Sequence, residues 1–271
     1  AEVPLMRQFW LARKDKKKVA LFPYIEGKQV NFKIVGTGYE KMPPGFDPAN
    51  GTISRAVAAC PVCGSVIDAD TTRKLFQEGK SGQRMIAVVL HKPGTNGKRY
   101  RIATEKDMQI FREAEAYLKE KREKLMLEWG IDPVPDENLV KTGGNQMAVL
   151  HYSMYKFGDL FNSRQNLALI TFVDKVRQAH QKMLAEGYDE EYARAAASYL
   201  ALGLDRLATY ACVLTRWRSD ALSFERAFDR QALPMVWDYG EVSPFSDARG
   251  RWDLEPMLES IEHISLLSNP A

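Results

Sequence analysis

A chain of 271 residues is long enough for one large or two modest domains with a buried core. With 45% hydrophobic and 27% charged residues it has the make-up of a folded globular protein, and 38 Lys and Arg against 35 Asp and Glu leave a net charge of +3. That balance excludes nucleic-acid binding through bulk charge, so any basic surface has to be local. No apolar run is long enough to span a membrane and no signal peptide opens the chain, so the expected setting is the cytoplasm, with no membrane partner.

Residues 1–103 read as short strands and turns. Val19–Ile25 and Val30–Val35 flank a turn around Glu26-Gly27 and predict a hairpin. Gly36–Gly51, rich in Gly and Pro, is expected to be loop. A strand around Ser54–Ala59 then delivers Cys60-Pro61-Val62-Cys63-Gly64, one half of a zinc knuckle, in which the proline and glycine favour the tight turn that aims backbone N–H groups at thiolate sulfurs. The third cysteine, Cys212, lies far downstream in a stretch that reads as helical, so the three cysteines point to zinc in a reducing compartment rather than to a disulfide framework. Cys60 and Cys63 are the expected metal ligands of a structural zinc site that is incomplete in this chain. His91 is a conceivable further ligand, against the reading of an ordinary surface histidine. The opening Ala1-Glu2-Val3, without an initiator methionine, fits a piece of a larger protein cut just after its first cysteine pair. Structural zinc contributes on the order of 10 kcal/mol to a small module, so an isolated half-ribbon is expected to be loose.

Further along, Asp70 is expected to cap a short helix running through Phe76, and Met85–Leu90 with Arg99–Ala103 predicts a second hairpin around Gly94–Gly97. Residues 104–144 begin with a long helix from Thr104 to about Trp129, with Asp107 three residues on as a capping box. The stretch Gly130–Gly144 is the expected boundary. Residues 145–271 read as mostly helical. Ser163 is expected to cap a helix to about Glu186, with Leu167, Ile170, Val173 and Val176 on one face and Gly187 as its stop. Asp189 is expected to cap an Ala-rich helix to about Trp217, Ser223 to open a shorter one, and Leu254–Leu267 to form the last. The predicted fold class is α+β: a β-rich, zinc-ribbon-like N-terminal part followed by a mostly α-helical part.

Two constellations carry chemistry. Arg164-Gln165 opens an apolar helix, where a guanidinium fork and a bidentate amide suit a phosphate or a base edge; the competing reading is a helix cap plus an anchoring salt bridge. The run Arg230-Gln231-Ala232-Leu233-Pro234-Met235-Val236-Trp237-Asp238-Tyr239 sets charged groups among rings around a proline, and Arg216-Trp217-Arg218 adds a second basic and aromatic cluster. Rings of this kind hold unpaired or flipped bases, and equally they anchor packing seams. The expected DNA contacts are therefore Arg164, Gln165, Arg216, Arg230, Gln231 and Trp237. No G-x-G-x-x-G, Walker loop or H-E-x-x-H occurs, the four histidines are scattered, and no catalytic residue is assigned.

Three stretches, in this order, carry a family resemblance: Gly51-Thr52-Ile53-Ser54-Arg55 to Gly64; Phe157-Gly158-Asp159-Leu160-Phe161 through Arg164-Gln165 to Leu169; and Arg230 to Tyr239 followed by Glu241-Val242-Ser243-Pro244-Phe245. The chain resembles the prokaryotic adenine-specific DNA methylases that contain a zinc ribbon, with Asn166 standing where an aliphatic residue is expected. The resemblance implies a Rossmann-like methyltransferase domain binding S-adenosylmethionine, into which the zinc ribbon and helices are inserted ahead of an Asp-Pro-Pro-Tyr loop. On that resemblance this chain is expected to be the intervening segment, with DNA and the rest of the parent methyltransferase as its partners. Asn269-Pro270-Ala271 does not complete the catalytic loop. The alternative function is a non-catalytic nucleic-acid or protein binding module built on a structural zinc ribbon.

Overall fold

The computed structural model describes residues 2–92, 94, 97–141, 147–229, 231–246 and 251–268, with no side-chain description for the last two of these. It is a mixed α+β structure of small antiparallel sheets and five α-helices among the described residues. Strands β1 (Trp10–Lys14), β2 (Lys17–Glu26) and β3 (Gln29–Gly36) form a meander in that order. The predicted hairpin is β2–β3, closed at the pair Glu26 and Gln29. Period-two alternation in β3 turns Val30, Phe32 and Ile34 inward and Asn31 and Lys33 outward. β1 was not expected from the sequence.

The single strand anticipated at Ser54–Ala59 is two strands, β4 (Ile53–Ser54) and β5 (Val57–Ala59), because Arg55 and Ala56 both adopt positive φ and reverse the chain. β5 pairs with β6 (Val66–Ile67) across the cysteine turn. Helix α1 spans Ala69–Gln77. Its cap is Asp68, not Asp70: Asp68 Oδ1 accepts from the Asp70 and Thr71 N–H groups at 3.0 and 2.8 Å, and Asp70 sits inside the first turn paired with Arg73. Strands β7 (Ala87–Leu90) and β8 (Arg99–Ile102) form the second predicted hairpin, whose turn residues Pro93, Thr95 and Asn96 lie outside the described residues. It closes over the meander through Tyr100, which joins Met6, Phe9, Leu11, Val19, Leu21, Val30 and Phe32 in one core.

Helix α2 spans Glu105–Trp129, and the expected capping box is present, with Thr104 and Asp107 serving each other's backbone N–H groups. Arg101 on β8 donates to both oxygens of Asp107 at 2.5 and 2.8 Å, so the helix start is stapled to the hairpin. Helix α3 spans Ser163–Ala185 and is capped by Asn162 rather than Ser163. Its most buried line is Asn166, Ile170 and Asp174, at four-residue spacing, whereas Leu167, Val173 and Val176 are only half-buried. Asp174 accepts from Lys121 of α2 at 2.9 Å, and Leu125, Val134 and Ile170 fill the space beside it.

Helix α4 (Glu190–Ala208) ends well before the expected Trp217. Tyr210 to Thr215, all buried, turn the chain into strand β9 (Arg216–Arg218), and Ser223 belongs to strand β10 (Ser223–Glu225) rather than to a helix. Cys212 therefore lies in a buried turn. Helix α5 (Glu255–Ser268) falls where predicted. Side chains from both sides of the expected boundary share cores: Trp217 and Leu222 pack on the meander. Residues 142–146 of that boundary lie outside the described set. Among the described residues, no helix is long and apolar enough to cross a membrane.

Candidate functional site

The cysteine turn is tight and closed by backbone hydrogen bonds. Cys60 N–H donates to Ser65 O at 2.9 Å, Gly64 N–H returns to Cys60 O at 2.8 Å, and Gly64 sits at φ +72°, a conformation that a side chain disfavours. Cys60 is buried and Cys63 exposed. The Ser65 hydroxyl, 3.2 Å from Cys63 Sγ, does most to hold the Cys63 thiol below its ordinary value, helped by the Ser65 backbone and the Cys60 side chain. The two cysteines share this one turn, and the Cys60 side chain lies close enough to act on the Cys63 thiol. Among the described residues no third His, Cys, Asp or Glu joins them, and exposed His91 is no exception. Cys212 is a different case: fully buried, its thiol is pushed up to about 12 by desolvation.

The second and third resemblance stretches meet in a polar junction. Asn162 Nδ2 donates to the Tyr239 hydroxyl at 3.0 Å and to Glu241 Oε2 at 2.9 Å, and Arg164 Nε donates to Glu241 Oε1 at 2.6 Å. The Tyr239 hydroxyl donates on to Gln83 Oε1 at 2.7 Å, and burial raises that phenol to about 12. Gln165 is 2% exposed; its Oε1 accepts from Asn162 N–H at 2.9 Å while its own N–H donates to Asn162 Oδ1 at 2.9 Å. Its amide nitrogen is buried without a hydrogen-bond partner among the described residues. This is the cap-plus-salt-bridge arrangement weighed for Arg164 and Gln165, and it presents neither side chain as a free reader of bases. Asn166 also finds its reason here. Its amide donates to the Gly158 and Phe161 carbonyls, both at 3.2 Å, and so ties the preceding turn to α3.

Trp237 is half-buried between Phe76 of α1 and Tyr152, with ring centroids 5.8 and 5.0 Å away and edge-on geometry to each. It links the third stretch to α1, the helix that follows the cysteine turn. Gln231 is exposed, and Arg230 lies outside the described residues.

Arg216 belongs to a third feature, an open cleft of about 360 Å³ lined by Arg7, Gln8, Arg13, Arg216, Trp217, Arg218, Ser219, Asp220 and Glu225. The β9–β10 hairpin forms one wall and the start of the chain with β1 the other. Arg13 N–H donates to Ser219 O and Trp217 Nε1 to Leu11 O, both at 2.8 Å, so the walls are bonded together. Arg216 pairs with Glu225 at 3.2 Å and Arg218 with Asp220 at 2.8 Å. Asp238 stands near Arg7; burial raises its carboxyl, although Arg7 and nearby backbone N–H groups pull the other way. Arg7 and Arg13 were missed by the sequence analysis: Arg7 stands alone between Met6 and Gln8-Phe9, Arg13 opens the basic run Arg13-Lys14-Asp15-Lys16-Lys17-Lys18, and only the docking of β9 brings the two to one cleft. Comparison with protein-family models, with curated proteins and with solved structures returned no match.

Proposed function

We propose that this chain is an internal segment of an S-adenosylmethionine-dependent adenine-specific DNA methyltransferase, working in a reducing cytoplasm and contributing half of a zinc ribbon and a helical region that positions DNA. The observation that carries the reading is the convergence of the three resemblance stretches. Trp237 reaches the knuckle-bearing module through Phe76, and Tyr239 with Glu241 holds the start of α3 through Asn162 and Arg164. Cys60 and Cys63 would supply two ligands of a structural zinc, which when bound gives a rigid tetrahedral joint to a second pair outside this chain. S-adenosylmethionine is assigned to the rest of such a parent protein, because no glycine-rich cofactor loop occurs in this sequence. In this arrangement Arg164 and Gln165 hold the junction in shape, and Trp237 locks the ribbon to it.

The test compares the chain alone with the longer reading frame. Isothermal calorimetry is expected to give no S-adenosylmethionine binding to the chain, with no labelled methyl transfer to DNA. The longer protein is expected to carry one zinc by elemental analysis and to label adenine. Methyl transfer by the chain alone, or a longer protein with neither zinc nor methyl transfer, sinks the reading. The cationic cleft favours a second reading, a nucleic-acid binding module without chemistry; duplex binding by a longer protein that transfers no methyl group would select it.

A further inference from the structure

We infer that the cleft between β1 and the β9–β10 hairpin is a phosphate clamp for a nucleic-acid strand, with Arg7 and Arg13 as the anion-seeking groups and Arg216 and Arg218 completing the wall. It rests on the reading above for taking the strand as DNA, and names the surface that DNA touches. Four guanidiniums line the cleft against two carboxylates, Asp220 and Glu225, already paired with Arg218 and Arg216, while a third acid, Asp238, stands near Arg7 with its charged form disfavoured by burial. Arg7 and Arg13 are exposed, and neither makes an ion pair among the described residues. Packing like charges together costs free energy that an arriving anion relieves.

The cations are held in place before any ligand arrives. The walls are joined by the Arg13–Ser219 and Trp217–Leu11 hydrogen bonds, and Trp217 packs edge-on against Phe224 with centroids 5.0 Å apart. Arg216 and Arg218 are two residues apart on one strand, hence on one face and about 7 Å from each other, a separation comparable to that of successive phosphates along a nucleic-acid strand. Guanidinium forks match phosphate oxygens in pairs. Apart from Trp217, whose indole N–H is already bonded to the Leu11 carbonyl, every lining residue carries a polar or charged side chain, so the clamp grips backbone and is indifferent to sequence.

The experiment is fluorescence anisotropy of a labelled short DNA duplex titrated with the 271-residue chain across a salt series. The variants are Arg7→Gln, Arg13→Gln, the double variant, and Lys124→Gln on the exposed face of α2 as a same-charge control. Each cleft variant is expected to weaken binding several-fold and to lower the salt slope by about 1, equally for unrelated sequences, while Lys124→Gln leaves both unchanged. Circular dichroism and melting confirm that each variant is folded. No duplex binding by the parent chain, or an unchanged slope in a folded double variant, overturns the clamp. So does tighter capture of inorganic phosphate or of a poly-glutamate peptide than of duplex, which would make it a free-anion or acidic-protein site. The assay needs no methyl donor, so the clamp can fail while methyl transfer by the longer protein stands, and the reverse.

Discussion

Among single residues the three thiols differ most sharply. Cys63 is exposed with a lowered thiol, Cys60 is buried beside it, and Cys212 is enclosed with its thiol at about 12. A maleimide or aromatic disulfide reagent at neutral pH is therefore expected to modify Cys63 first and Cys60 more slowly, with Cys212 reacting only after denaturation. Zinc added beforehand should slow the first two and leave the third untouched; peptide mapping by mass spectrometry reads all three. Early modification of Cys212 would show that its turn opens readily. The tight turn from Cys60 to Gly64 was legible because its proline and glycine set it. The roles of Gln165 and Asn166 were not, because an amide serves a base edge or a helix cap equally well until the partner is in place.

At the scale of elements, the β9–β10 hairpin depends on Gly240. A Cβ there would lie 2.1 Å from the Phe224 ring, which is itself packed on Trp217, while Gly240 N–H donates to Thr215 O at 2.9 Å. Gly240→Ala is expected to cost about 1–3 kcal/mol through overpacking. Denaturant unfolding measures the loss, and displacement of the Trp217 ring should change the native tryptophan emission. Equal stability would mean that the ring moves aside freely. This hairpin is also where the sequence misled most. Ala-rich periodicity carries α4 forward on paper, but Thr209 closes that helix and the following run through Val213 and Thr215 is buried as a turn into strand. The β2–β3 and β7–β8 hairpins, α2 with its capping box, and α5 were legible from alternation, turn residues and cap chemistry. The caps of α1 and α3 were each misplaced by one or two residues, since neighbouring Asp and Ser side chains compete for the same N–H groups.

For the whole molecule, the charged contacts predict stability that narrows at both ends of the pH scale. Asp107 is held well below 3.8, first by Arg101, and Asp132 is lowered mainly by Arg122. Burial raises Asp174, yet Lys121 and Gln178 outweigh it and leave it lowered. Groups depressed in the fold stabilise it above their unfolded value near 3.8, and that contribution disappears as acid titrates them through their folded values. Tyr100 and Tyr239 act in the opposite sense: burial raises each from 10.0 to about 12, so their contribution is intact below pH 10 and is lost between there and pH 12. A series of melting temperatures from acid to alkali is expected to show a plateau with both edges falling. Asp107→Asn should blunt the acid edge, and Tyr239→Phe the alkaline one. A flat profile would mean that these contacts are equally present in the unfolded chain.

The bond from Trp217 to the Leu11 carbonyl joins residues 206 positions apart, and with the Arg13 link to Ser219 it covers the outer margin of β1. During synthesis that margin stands open until the residues around Trp217 and Ser219 have emerged, and an uncovered strand margin is a template for pairing with other molecules. The β9–β10 hairpin thus acts as a clasp on the first sheet, and a chain truncated ahead of it carries an adhesive edge that the hairpin otherwise conceals.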